Sequence, residues 1–124
     1  MNGRALALWG PFVAALALCF WLSSIRQPQG GELMWDKLLH VCEYAGIGLL
    51  AMRAFHGGLV RPRTVPTLAA AAAVVLWAIS DEMHQSFVPG RDASSADVVA
   101  DAVGFGVSVL VAATLAAWRR ERAL

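Results

Sequence analysis

From Ala5 to Ile25 the chain reads ALALWGPFVAALALCFWLSSI, twenty-one residues without a charge. A helix rises ~1.5 Å per residue, so this stretch is long enough to cross a hydrocarbon core of ~30 Å. Three more apolar blocks follow, at about 36–55, 64–83 and 96–118. Only 15% of the chain is charged, against about 25% in an ordinary soluble domain. So little polar material cannot surround a water-soluble core. The expected fold is therefore all-α: one polytopic membrane domain over residues 1–124, a compact bundle of four transmembrane helices with short loops. A signal peptide is the alternative for the first block. Its length, the single preceding Arg4 and the poor cleavage context of CFWLSSI favour a retained helix.

Four spans put both termini on one side. Arg4, Arg53, Arg61, Arg63, Arg119, Arg120 and Arg122 fall on that side, with Arg26, Lys37 and Arg91 on the other. Seven against three is expected to place the termini and the middle loop in the cytoplasm. The middle loop, HGGLVRPRTVP, carries the turn residues Gly57, Gly58, Pro62 and Pro66, and its arginines read as topology anchors. Net charge is +1 with no basic patch among aromatics, which removes nucleic acid as an implied partner. Cys19 and Cys42 each lie in an apolar block and are expected as buried free thiols. The run Ala69–Ala73 offers a thin face for close helix packing.

Against this background the polar residues stand out, because ionisable groups inside a span are costly and face protein or water. The second block opens with Asp36, Lys37, His40, Glu43 and Tyr44; Asp36, His40 and Glu43 share one face of a helix. Plain structural roles exist: a helix cap for Asp36, snorkelling for Lys37, a helix–helix hydrogen bond for His40, a buried protonated acid for Glu43 and an interfacial aromatic for Tyr44. The third block ends in Asp81, Glu82, His84 and Gln85. Asp81, His84 and Gln85 share a face, and Glu82 points about 100° away from Asp81, from the helical pitch. Pro89-Gly90 then marks a turn and Arg91 follows it. Ser95 or Asp97 is expected to cap the fourth helix, and Asp92 reads as a solvent or cap residue. Asp97 and Asp101 share a face that continues through Gly104 and Ser108.

Three helix ends thus bring these groups to one depth, which predicts a polar pocket opening outward, floored by Glu43 and Asp101. The outward region carries Glu32, Asp36, Glu43, Asp81, Glu82, Asp92, Asp97 and Asp101 against Arg26, Lys37 and Arg91. Such an excess calls for protonated acids or a bound cation. Oxygen ligands suit a divalent cation such as Mg2+, and Asp81 with Asp97 are the expected metal ligands. No spacing matches a metalloprotease or EF-hand motif. Lys37 and Arg91, with Tyr44 and Gln85, are expected to hold a substrate phosphate. Asp36, His40, Glu43, Asp81, Glu82 and Asp101 are the candidate catalytic groups. Ser80, Ser86, Ser94 and Ser95 mark no Ser-His-Asp arrangement, which favours a metal-activated water.

DKLLHVCEY, then GIGLL, then DEMHQSFVPGRDASSADVVADAVG resemble the VanZ-like family of small bacterial membrane proteins over residues 36–108. The matching positions are Asp36, Lys37, His40 and Tyr44, then Asp81, Glu82, Gln85, Phe87, Pro89, Arg91, Asp97 and Gly104. Val41 stands at a usually aromatic position and Asp101 at a usual asparagine, so Asp101 must be protonated or paired. The family takes its name from an association with teicoplanin resistance, and the resemblance implies a cell-envelope role without naming a reaction. Three readings follow: hydrolysis or transfer on a lipid-linked phosphate or glycolipid, non-enzymatic binding of an envelope lipid or glycopeptide antibiotic, and an ion- or proton-coupled carrier using Glu43 and Asp101. The partner in the first is a membrane lipid, in its sharpest form a phosphorylated envelope lipid.

Overall fold

The computed structural model describes residues 2–25, 33–91 and 93–123. Arg26, Glu32 and Asp92 lie outside the described residues. Four helices make up the fold: α1 (Gly3–Ser23), α2 (Leu33–His56), α3 (Thr64–Gln85) and α4 (Ser95–Glu121), with no strand among the described residues. Each helix is long and apolar enough to span a membrane, which supports a multi-pass location in the plasma membrane. The outer surface agrees: Val65, Leu110 and Leu76 are 77%, 68% and 66% exposed, an arrangement stable only where lipid replaces water.

The bundle is built around α2, which packs on the other three helices, while α1 does not touch α4 among the described residues. The α2–α4 pair is the tightest, and small residues explain it. A Cβ on Gly104 would lie 2.5 Å from the Val41 carbonyl oxygen and 3.0 Å from the Ala45 nitrogen. One on Gly48 would collide with Ser108 Oγ. Backbones therefore approach along a seam of Gly104, Ser108 and Ala112 against Tyr44, Gly48 and Ala51, all buried. On α3 the alanine run supplies a matching thin face through Ala70, which is wholly buried.

Helix α1 is held by fewer contacts, and one repairs a defect of its own. Pro11 has no N–H, so the Ala7 carbonyl one turn earlier lacks its helical donor. Arg53 of α2 fills the vacancy, its Nη1 donating to Ala7 O at 2.7 Å. Trp9 and Phe12 then close on Phe55, with ring centroids at 4.9 and 6.3 Å. A charged group near the end of α2 is thereby matched to a carbonyl that needed a donor.

The helix ends match expectation within a few residues, with instructive differences. Helix α2 starts at Leu33, so Asp36 falls in the first turn instead of at the cap. The cap of α4 is Ser94, whose Oγ accepts from Ala96 N at 3.2 Å. The expected caps Ser95 and Asp97 are inside the helix, and Asp97 is released for a different partner. Cys19 is buried as expected, but Cys42 is exposed, because it lines the open cavity between α1 and α2. Tyr44 is only 2% exposed, a core residue and not an interfacial one.

Candidate functional site

The C-terminal ends of α1 and α3 and the N-terminal ends of α2 and α4 meet at one end of the bundle, where hydrogen bonds join all four. Asp81 is 5% exposed and yet well supplied with donors. Ser23 Oγ donates to its Oδ1 at 2.6 Å and Gln85 Nε2 to its Oδ2 at 3.0 Å. The Gln85 bond follows from the one-turn spacing on α3. Gln85 Oε1 in turn accepts from Arg91 Nη2 at 2.7 Å. Arg91 reaches back because the turn before it closes through Gly90, whose φ of +84° only glycine adopts freely. The result is a relay from Arg91 through Gln85 to Asp81, completed from the other side by Ser23.

A second network lies in the α2–α4 seam. Lys37 Nζ pairs with Asp97 Oδ1 and lies 3.3 Å from Asp36 Oδ2. One turn deeper, His40 Nδ1 lies 2.8 Å from Asp101 Oδ1. Asp101 is 2% exposed, and a carboxylate there needs a donor, which His40 supplies when Nδ1 carries a proton; with the ring neutral, Nε2 is then an acceptor. His40 Nε2 stands 3.9 Å from Asp97 Oδ1. Pairing with His40 thus answers the question raised by a carboxylate in place of the usual asparagine. A fourth buried acid, Glu82, accepts from Ser94 N at 2.8 Å and so holds the start of α4 against α3. Its other oxygen is buried without a partner.

An open cavity of about 680 Å³ runs between α1 and α2 and ends on these groups. Leu18, Leu22, Leu39, Ile47 and Leu50 form apolar walls; Asp36, His40, Glu43, Tyr44, Asp81, Gln85 and Arg91 line the polar part. Glu43 faces this space and makes no ion pair among the described residues. Asp101 does not line it but stands behind His40, so the expected floor of Glu43 and Asp101 is divided between cavity and seam. His84 turns, like Asp81, toward the end of α1, but outside the cavity: it bonds Ser24 Oγ at 2.9 Å and lies against Phe20 at 4.3 Å between centroids.

Asp36, His40 and Asp97 each offer one ligand atom, all within 4.8 Å of one another, a set capable of holding a divalent cation. Of the expected metal ligands Asp81 and Asp97, this set contains Asp97; Asp81 bonds within the α1–α3 network instead. His40 has the other feature of a good ligand, a second nitrogen hydrogen-bonded to a carboxylate. Lys37 sits on two of the three ligands and competes for them.

Sequence reasoning missed the contribution of α1. Cys19 and Ser23 read as ordinary members of a charge-free helix, and only packing reveals that Ser23 bonds Asp81. The VanZ/LLP1 family model matches residues 6–116, α1 included. The chain belongs to the VanZ/LLP1 family. No curated protein and no solved structure matches the chain. The VanZ/LLP1 match thus covers both networks and the cavity between them.

Proposed function

We propose that this VanZ/LLP1 protein binds a phosphorylated envelope lipid at the outer leaflet and hydrolyses or transfers its phosphate-linked group with the help of a divalent cation. The observation that carries this reading is one cavity whose apolar walls lead into a hydrogen-bonded polar end. That shape suits an amphiphile whose chain lies between α1 and α2 and whose headgroup meets Arg91 and His40.

Charge explains why a cation belongs in the reading. The cavity is lined by Asp36, Glu43 and Asp81 against Arg91, and a phosphate would be repelled without further positive charge. Asp36, Asp97 and the free Nε2 of His40 would hold a cation such as Mg2+, with histidine also admitting Mn2+. Lys37, displaced from those carboxylates, would then turn to the phosphate. Arg91, held by Gln85 and Asp81, orients it. Glu43, without an ion-pair partner, is the group free to take a proton from an attacking water.

The excess of acid also favours a second reading, stoichiometric binding of an uncharged glycolipid or an amine-bearing glycopeptide. Two measurements separate them. Mn2+ binding by electron paramagnetic resonance is expected to weaken at least about tenfold in D97N and H40Q, and to strengthen in K37Q, where the competing ammonium is gone. Long-chain monophosphate, diphosphate and glycosyl lipids incubated with the reconstituted protein and Mg2+ or Mn2+ are then assayed by mass spectrometry. Product lost in D97N supports catalysis; retained lipid or glycopeptide with no product supports the binder. Absence of ion binding in both wild type and K37Q removes the metal step.

A further inference from the structure

The end of the bundle opposite the acidic networks has a charge pattern of its own. A recess of about 730 Å³ there is lined by Arg4, Arg61, Arg63, Arg119 and Arg120, with His56 at its base. These arginines come from the start of α1, the α2–α3 loop and the end of α4. The nearest acid in the chain, Glu121, does not line the recess. Topology requires only that basic residues flank the spans; it does not require five to converge on one concavity.

The recess is built with care for its backbone. Helix α2 ends in a Schellman motif, with Gly58 N bonded to Arg53 O at 2.8 Å and Gly57 N to Ala54 O at 3.3 Å. Gly57 adopts φ +72°, a conformation that favours glycine. His56 is 7% exposed. Its Nδ1 donates to Met52 O at 2.9 Å, while Nε2 accepts from Arg63 N at 3.1 Å. The buried ring fixes where the loop leaves α2 and where Arg63 stands.

The guanidinium groups are largely unspent. Arg119 donates to Leu59 O at 3.2 Å, whereas Arg4, Arg61, Arg63 and Arg120 donate no side-chain hydrogen bond among the described residues. Clustered like charges with no counter-ion repel one another, and an anion received by several of them removes that cost. The recess lies at the helix ends, the depth of lipid headgroups, and Leu59 and Val60 beside the arginines are 42% and 47% exposed. A soluble anion would have no use for that apolar rim; a phospholipid would cover it with its chains.

We propose that this arginine-lined recess is a binding site for the phosphate diester of an anionic phospholipid, separate from the acidic cavity and independent of what that cavity does. The test uses the full chain in neutral detergent, titrated with dioleoyl phosphatidylglycerol and followed by native mass spectrometry. Dioleoyl phosphatidylcholine and glycerol phosphate serve as comparisons. Saturable binding of phosphatidylglycerol is expected, with R61Q and R120Q each weakening it about fivefold. R122Q removes the same charge from a residue that lies over Trp118, 4.1 Å from the ring, and outside the recess; it is expected to change binding by less than about twofold. All three positions are exposed, and unchanged melting would show that each variant is folded. Equal weakening in R61Q and R122Q would mean diffuse attraction and overturn the site. Equal retention of phosphatidylcholine would do the same, and effective competition by glycerol phosphate would assign the recess to a soluble phosphate.

Discussion

The His40–Asp101 pair shows how one side chain can be judged by the atom it supplies. Asp101 Oδ1 receives the His40 Nδ1 proton in a buried seam, so the need is for an oxygen at that place. Asparagine, the residue usual in the family pattern, can present an amide oxygen there. D101N is therefore expected to keep wild-type stability within about 1 kcal/mol, whereas D101A leaves a buried N–H without a partner and costs about 1–2 kcal/mol. Unfolding in mixed micelles checks both, and equal losses in the two variants would show that the charge, not the oxygen, matters. The sequence made the shared face of Asp97 and Asp101 visible through their four-residue spacing. It could not show that His40 and Lys37 oppose them, because that depends on the register of two helices sixty residues apart in the chain.

At the scale of the helix, register is set where backbones touch. Gly104 faces carbonyl and amide groups of α2 that cannot rotate away, so a methyl group there must push the helices apart. Gly106, two residues on, has nothing within 4 Å of an added Cβ. G104A is expected to destabilise the bundle by about 1–3 kcal/mol, while G106A is neutral or gains up to about 1 kcal/mol from helix propensity. Thermal unfolding of the two variants side by side reads the difference; equal stability would remove Gly104 as the close-packing point. Separation of α2 from α4 in G104A would also pull Lys37 from Asp97, linking packing to the cation-capable cluster. Hydropathy revealed the helices themselves because each span must be apolar along its length. Their contacts were less legible: in lipid, small residues and hydrogen bonds choose the partner, and Gly48 or Ser23 looks the same in sequence whether it meets a neighbour or a lipid chain.

The whole molecule is polarised, with carboxylates gathered at one end and arginines at the other. This polarity predicts a side of the membrane for the acidic cavity. Arginines hinder transfer across the bilayer far more than acids do, so the end carrying Arg4, Arg61, Arg63, Arg119 and Arg120 is expected in the cytoplasm and the Arg91 turn outside. The fold groups the loops as that reading requires, since Arg63 joins His56 at one end and Arg91 joins Gln85 at the other. Single cysteines can test it in intact cells after Cys19 and Cys42 are replaced by alanine. A membrane-impermeant maleimide is expected to label A93C, beside the acidic end, and to leave L59C unmodified until the cells are opened. The opposite pattern would turn the acidic cavity toward the cytoplasm and exclude an outer-leaflet substrate. It would leave the two networks intact, because their hydrogen bonds hold in either orientation. Orientation is thus the property that turns a local arrangement of side chains into a role in the envelope.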